Sequence, residues 1–322
     1  MIRRFGLGSA SLVVEIGAND GYLLQYIQEN KIPCFGVEPT ASTAKAAREK
    51  GIEIVEDFFG ICLANELKAH GKQADLIVAN NVLPHVPDIN DFLAGFSILL
   101  NPHGLAVFEF PHLIRLVGGN QFDTIYHEHF SYLSLTSAER VFEYNGLVIF
   151  DVEEIPTHGG SLRVYAQRRE TGKHPTGPRV GELLAREATA GLTSANYYAG
   201  FQERINRVKD DFLIFLIEAK RAGKKVAGYG AAAKGNTLLN YAGVRPDLLP
   251  YVVDRNPAKQ GKFLPGSRIP IVEEERLKLD RPDYIVILPW NIKEELMAQL
   301  VYIRDWGGKF VTAVPILHGE LQ

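Results

Sequence analysis

Short apolar runs alternate with helix-like stretches through both halves of this chain, and that alternation restricts the fold more than any other feature. In the first half the runs are Leu12–Ile16, Cys34–Val37, Ile52–Val55, Asp75–Ala79 and Leu105–Glu109. They are too short for helices and apolar enough to be covered on both sides, so they predict the strands of a buried parallel sheet. Tyr22–Asn30, Ser42–Lys50, Gly60–His70 and Asn90–Leu100 carry helical periodicity or good helix formers between them. Two further runs, Leu147–Val152 and Ser161–Ala166, are joined through Pro156, Gly159 and Gly160, which predicts an antiparallel pair at the end of the sheet.

From Arg168 to Pro178 the chain turns polar and rich in Gly and Pro, which reads as a linker between domains at 1–170 and 171–322. A long amphipathic stretch, Ser194–Ala222, follows; the Leu and Phe stripe within Asp211–Ala219 reads as core. A second alternation then runs through Lys225–Gly228, a helix from Ala233, Tyr251–Asp254, Asp283–Leu288, a helix from Ile292, and Lys309–Thr312. The expected fold is therefore α/β, a Rossmann-like domain followed by a second, smaller Rossmann-like unit.

At 322 residues the chain can bury two cores, and its net charge of −3 is spread without basic stretches. Nucleic acid and anionic membranes are thereby disfavoured as partners, and small molecules are the expected ligands. Cys34 and Cys62 lack metal or redox spacing, which argues against a disulfide framework or a zinc site in this chain and suits a reducing cytoplasm. No apolar run reaches the roughly 18 residues of a membrane span, and Met1–Gly8 is too short for a signal peptide, so a soluble cytoplasmic protein is expected.

Two glycine turns follow strands. The first, Glu15-Ile16-Gly17-Ala18-Asn19-Asp20-Gly21, has Glu38 ending the next strand, where a carboxylate can accept from both ribose hydroxyls. It departs from the dinucleotide fingerprint, because the middle glycine is missing. Glu38-Pro39, Asp57-Phe58 and Asn80-Asn81 stand at successive strand ends, where they grip a ligand or merely cap the strands. This turn resembles motif I of class I methyltransferases, which use S-adenosylmethionine. The second turn, Gly228-Tyr229-Gly230-Ala231-Ala232-Ala233-Lys234-Gly235-Asn236, opens a helix and is followed by Asp254. A helix amino terminus with a lysine suits a diphosphate, so a nucleotide sugar and NAD fit equally, beside a purely structural turn.

After the last central strand of the first domain lies Tyr126-His127-Glu128-His129, a phenol, a carboxyl and two imidazoles in succession. Such a set suits proton removal beside a carbonyl: imidazole as base, carboxylate to steady it, phenol to meet the developing oxyanion. The bland alternative is a cluster that satisfies itself at the surface. His127 and His129 are only two positions apart, which disfavours a metal site, and no metal is expected. His103, His112 and His158 read as surface or supporting residues.

Taken in order, the first turn, Asn80-Asn81-Val82-Leu83-Pro84-His85, Tyr126–Phe130, Thr157–Arg163 and the second turn resemble one family. It is the sugar C-methyltransferases that methylate C3 of thymidine-diphosphate-linked 4-keto deoxysugars. The resemblance runs from Leu12 to the carboxyl terminus. It implies S-adenosylmethionine held by Glu15, Gly17, Asn19, Asp20, Gly21, Glu38, Pro39, Asp57, Phe58, Asn80 and Asn81. It implies His129 as the base, with Glu128 beside it, Tyr126 near the keto oxygen and His85 as a further active-site histidine. The nucleotide sugar is expected on Gly230, Ala231, Lys234, Gly235, Asn236 and Asp254, with Gly160, Ser161 and Arg163 nearby. Members of that family also carry an amino-terminal zinc-binding domain with a tyrosine facing the sugar. This sequence opens at the methyltransferase core, so the expectation is a fragment, a separate zinc-domain partner or a protein that works with a more open site.

Overall fold

A computed structural model describes residues 1–319, and the expected domain over 171–322 is therefore followed as far as Gly319. The chain divides into two compact units. The first comprises Met1–Leu113, Glu128–Pro156 and Gly160–Gly191; the second comprises Ile114–His127, Thr157–Gly159 and the chain from Leu192.

The first unit holds α1 (Ile2–Phe5), β1 (Val13–Ile16), α2 (Leu24–Glu29), β2 (Cys34–Val37), α3 (Ala41–Glu49), β3 (Ile54–Val55), α4 (Ile61–Ala69), β4 (Ala74–Asn80), α5 (Ile89–Leu99) and β5 (Leu100–Pro111). After α6 (Leu113–Gly118), which lies almost wholly in the second unit, come α7 (Leu135–Tyr144), β6 (Leu147–Ile155), β7 (Ser161–Arg168) and α8 (Pro178–Ala190). The strand order is β3-β2-β1-β4-β5-β7-β6, parallel from β3 to β5, with β7 antiparallel to both β5 and β6. This is the sheet of class I methyltransferases, with the antiparallel pair where the sequence predicts it.

Strand alternation decides what each face buries. Val14, Ile16, Ile77 and Phe108 point to a core with Leu63, Phe92, Phe96, Phe142 and Leu183, whereas Val13, Leu76, Val78 and Val107 point to a core with Leu24, Ile27, Ala44 and Ala47. Helices α4, α5, α7 and α8 thus cover one face, and α2 and α3 the other. The polar stretch 168–178 does not end this unit, because Val180 and Leu183 of α8 are buried in the first core. Helices α7 and α8 are amphipathic but were not among the elements expected from the sequence; α7 opens with a capping box between Ser134 and Ser137.

The second unit contains α9 (Ala195–Tyr198), α10 (Phe201–Arg221), β8 (Val226–Tyr229), α11 (Ala233–Tyr241), β9 (Val252–Val253), β10 (Ile271–Val272), α12 (Glu275–Asp280), β11 (Tyr284–Ile287), α13 (Lys293–Gln299), β12 (Lys309–Thr312) and β13 (His318–Gly319). Its order is β10-β9-β8-β11-β12-β13, parallel except for β13. Phe212, Phe215, Leu216 and Ala219 of α10 enter its core as expected. Phe122 is buried there too, which explains why 114–127 belongs to this unit. Among the described residues no helix is long and apolar enough to cross a membrane.

Candidate active site

In the first unit the polar residues gather at the carboxyl ends of the parallel strands, where ligands bind in open α/β sheets. Gly17 and Gly21 have φ of +69° and +76°, so the turn after β1 takes a shape that residues with a Cβ resist. A Cβ on Gly17 would lie 2.5 Å from Val82 Cγ2, and one on Gly21 2.3 Å from Ile52 Cδ1. Glu38 closes the turn: Asn19 donates its amide to Oε2 (3.0 Å) and Thr40 its amide to Oε1 (2.9 Å). Asp20 is ion-paired with Lys50 at 2.7 Å. Pro39, Asp57 and Phe58 are exposed, and the Phe58 ring is 80% accessible.

Glu15 is buried, and its Oε2 has no hydrogen-bond partner among the described residues. Burial pushes its carboxyl up to about 8, and nearby Asp20 adds to the rise. The Tyr22 phenol is raised by burial first and then by Glu15, with Asn80 opposing the rise. An orphaned buried carboxyl at a strand end, the Glu38 carboxylate fixed by two backbone amides at the end of β2 and an exposed phenylalanine fit a ligand that carries an ammonium group, a ribose and a flat base. S-adenosylmethionine has all three. Tyr22 was not singled out from sequence, although its place directly after Gly21 marks it.

The turn after β4 links this edge to the base candidate. Asn81, at φ +56°, donates its amide to the Glu109 carbonyl (2.7 Å), Val82 meets Gly17, and the single 3-10 turn Leu83–His85 follows. Phe130 and Ser131 donate their amides to the Pro84 carbonyl at 2.8 and 3.2 Å. That anchor brings the His129 ring edge-on to His85, with centroids 4.6 Å apart, and the Tyr132 ring stands edge-on to His129 at 6.0 Å. Glu128 is exposed and His129 half-buried; Tyr126 and His127 fall in the second unit.

The segment has a second anchor. Of the two readings open for His112, surface or supporting, the structure has the supporting one: it is buried, and its Nε2 meets Glu187 Oε1 at 2.8 Å. Glu187 also accepts from the amides of Leu135 and Thr136 (2.8 Å each) and from Thr136 Oγ1 (2.6 Å). Burial alone would raise this carboxyl; the bonds from His112 and Thr136 and the amides overcome it and hold it at about 2. An ionised carboxylate only accepts, so His112 Nε2 carries the proton. A buried Glu inside an ordinary amphipathic helix was the available sequence cue.

Gly160 passes its carbonyl to the His112 amide at 3.1 Å, and Ser161 is buried at the start of β7. Arg163 lies between Glu109 (3.1 Å) and Glu153 (3.8 Å), its register neighbours on β5 and β6. A cleft of about 660 Å³ in the first unit is lined by Asn80 and Arg163 together with Tyr26, Val78, Val107 and Tyr165.

In the second unit the turn after β8 closes on Asp254, which accepts from the amides of Ala231 and Asn256 (2.8 Å each) and pairs with Lys259 (3.2 Å). Gly230 has φ +91° against Pro289, and Gly235 packs on Leu288, so the latter serves helix–strand contact. Asn236 accepts from Asn240. Helix α11 begins at Ala233 with no side chain capping it, leaving its first amides to a ligand or solvent. Lys234 donates to Asn291 Oδ1 at 3.2 Å, and its Nζ stands 4.8 Å from the centre of the Trp290 ring. Burial lowers this lysine, and Asp123 partly restores it. Trp290 and Asn291 escaped the sequence reading, although they follow β11 at the ligand-binding edge of the second sheet.

Residues 2–152 match the family described as methyltransferase domain, and residues 156–315 match the C-methyltransferase C-terminal domain. The C-methyltransferase NovU of Streptomyces niveus is 37% identical over 314 residues, which are 98% of this chain and 74% of that protein. Among solved structures, the Haloferax volcanii complex of the Trm112 methyltransferase activator with a methyltransferase aligns at TM-score 0.42 and 14% identity, covering 52% of this chain and 86% of that one. Magnesium protoporphyrin IX methyltransferase from Synechocystis aligns at TM-score 0.38 and 15% identity, covering 50% and 71%.

Proposed function

Because this chain belongs to the C-methyltransferases, enzymes that draw on S-adenosylmethionine, we propose that it methylates C3 of a thymidine-diphosphate-linked 4-keto-deoxysugar by way of an enolate. The observation that carries this reading is the anchored His85–His129 pair, on a turn that touches the first glycine turn through Val82. Glu38 would take the ribose hydroxyls, Asp57, Phe58 and Asn81 the base, and Glu15 with Tyr22 and Asn80 the methionine part. When bound, S-adenosylmethionine supplies an electrophilic methyl group on a sulfonium sulfur.

The chain's own residues have the harder task. A C3 proton is acidic only because the C4 carbonyl can hold the charge it leaves behind. His129 takes that proton, Glu128 steadies the imidazole, and His85 limits its rotation by the edge-on contact. Tyr126 donates to the C4 oxygen as it becomes an oxyanion. Lys234 and the uncapped amides of α11 hold the diphosphate, with Gly230, Ala231 and Asn236 around it and Asp254 keeping the loop in shape. Gly160, Ser161 and Arg163 line the sugar's approach.

The test is incubation with S-adenosylmethionine and the ketosugar nucleotide, read by mass and by NMR position of the new methyl group. His129→Asn should stop transfer, by about 10²-fold or more, and stop deuterium wash-in at C3 while leaving donor binding unchanged. A methyl group on C5, the other carbon beside the ketone, would overturn the C3 assignment; an active His129→Asn would overturn the base.

A further inference from the structure

Three stretches of the second unit meet on one indole. The Trp290 Nε1–H donates to Asp123 Oδ2 at 2.7 Å. Its six-membered ring abuts Gly159, where a Cβ would come within 2.4 Å of Cη2, and Gln121 donates to the Gly159 carbonyl at 2.7 Å. Its face carries the Lys234 ammonium, which also reaches the His158 carbonyl at 3.5 Å. Asp123 is wholly buried, and its Oδ1 has no partner among the described residues, so the indole supplies the side-chain hydrogen bond to this carboxyl. Tyr126 stands three residues further along the same segment.

We propose that Trp290 is a positioning residue with two separable tasks: its ring face seats the diphosphate-binding Lys234, and its N–H holds the segment that leads to Tyr126. The inference rests on the assignment of Lys234 to the diphosphate. Trp290 does not touch the reacting atoms. Its use is to make occupancy of the lysine and order of the 121–127 segment parts of one arrangement, so that binding energy from the remote nucleotide steadies a group needed at the ketone.

Trp290→Phe keeps an aromatic face and loses the donor; Trp290→Leu loses both. Thymidine diphosphate is titrated calorimetrically into each full chain, and hydrogen exchange is followed across 121–127. Trp290→Phe should bind within about twofold of wild type, whereas Trp290→Leu should bind about two- to thirtyfold more weakly, the span of a cation–π contact. Thymidine diphosphate should slow exchange at 121–127 in wild type and fail to do so in Trp290→Phe, with methyl transfer falling at least about tenfold through kcat. Asp123→Asn, which can still accept from the indole, should retain protection, and Asp123→Ala should lose it.

Wild-type protection in Trp290→Phe or in Asp123→Ala would overturn the proposal, as would equal loss of affinity in the two Trp290 variants. Unchanged thymidine diphosphate affinity in Lys234→Ala would sink the diphosphate assignment instead. The exchange readout would still report whether the indole orders the segment.

Discussion

Glu187→Gln keeps the size of a buried side chain and removes its charge. The carboxylate accepts four hydrogen bonds, from His112 Nε2, the amides of Leu135 and Thr136, and Thr136 Oγ1. A glutamine oxygen can serve the first two. Its NH₂ then faces the Thr136 amide, a donor against a donor, and the cost of one buried unpaired group with two weakened charge-assisted bonds comes to about 3 kcal/mol. The lowered carboxyl leads to a similar figure. The carboxyl is held at about 2 against an ordinary 4.5, which at about 1.4 kcal/mol per tenfold is about 3.5 kcal/mol. Because the folded pKa is depressed, this stability is present above about pH 4.5 and is lost as the pH falls toward 2. Urea unfolding of wild type and variant, with exchange at Leu135 and Thr136 to identify the first unit, should show a gap at pH 7 that narrows below pH 4.5. A gap of the same size at pH 3 would refute the reasoning, and so would a variant as stable as wild type at pH 7.

Other outcomes follow from the same geometry. The Glu15 carboxyl, pushed up to about 8, keeps its proton at neutral pH when the donor is absent. Donor affinity should therefore rise from pH 6 to 8 with proton release, and Glu15→Gln should abolish that dependence; calorimetry in buffers of different ionisation enthalpy reads both. Stability of the free chain should carry the opposite slope, falling between about pH 4.5 and 8, because the unfolded carboxyl ionises first. Gly21→Ala meets both a φ of +76° and the Ile52 methyl, so a loss of about 1–2 kcal/mol should appear in thermal melts, together with weaker donor binding. Lys234→Ala should weaken thymidine diphosphate about tenfold or more and leave S-adenosylmethionine affinity unchanged, which parallel titrations would settle.

Apolar runs of four or five residues between helix formers were enough to predict the parallel strands, because a strand buried on both faces leaves its composition in the sequence. The glycine turns were equally plain, since backbone shape at Gly17 and Gly21 and close approach at Gly235 are demands that residue type itself records. Glu38 and His129 stand out in the sequence as candidates because they sit beside local landmarks. Helix α8 does not, because the polar stretch before it looks like a domain boundary, and only the burial of Val180 and Leu183 assigns the helix to the first core. His112 and Glu187 are 75 positions apart, Asp123 and Trp290 are 167 apart, and neither pair shares a local pattern. Residue order alone records where strands, turns and chemically able side chains lie along the chain. The tertiary structure alone decided which of those side chains lose water together, and pairing and pKa follow from that shared burial rather than from spacing.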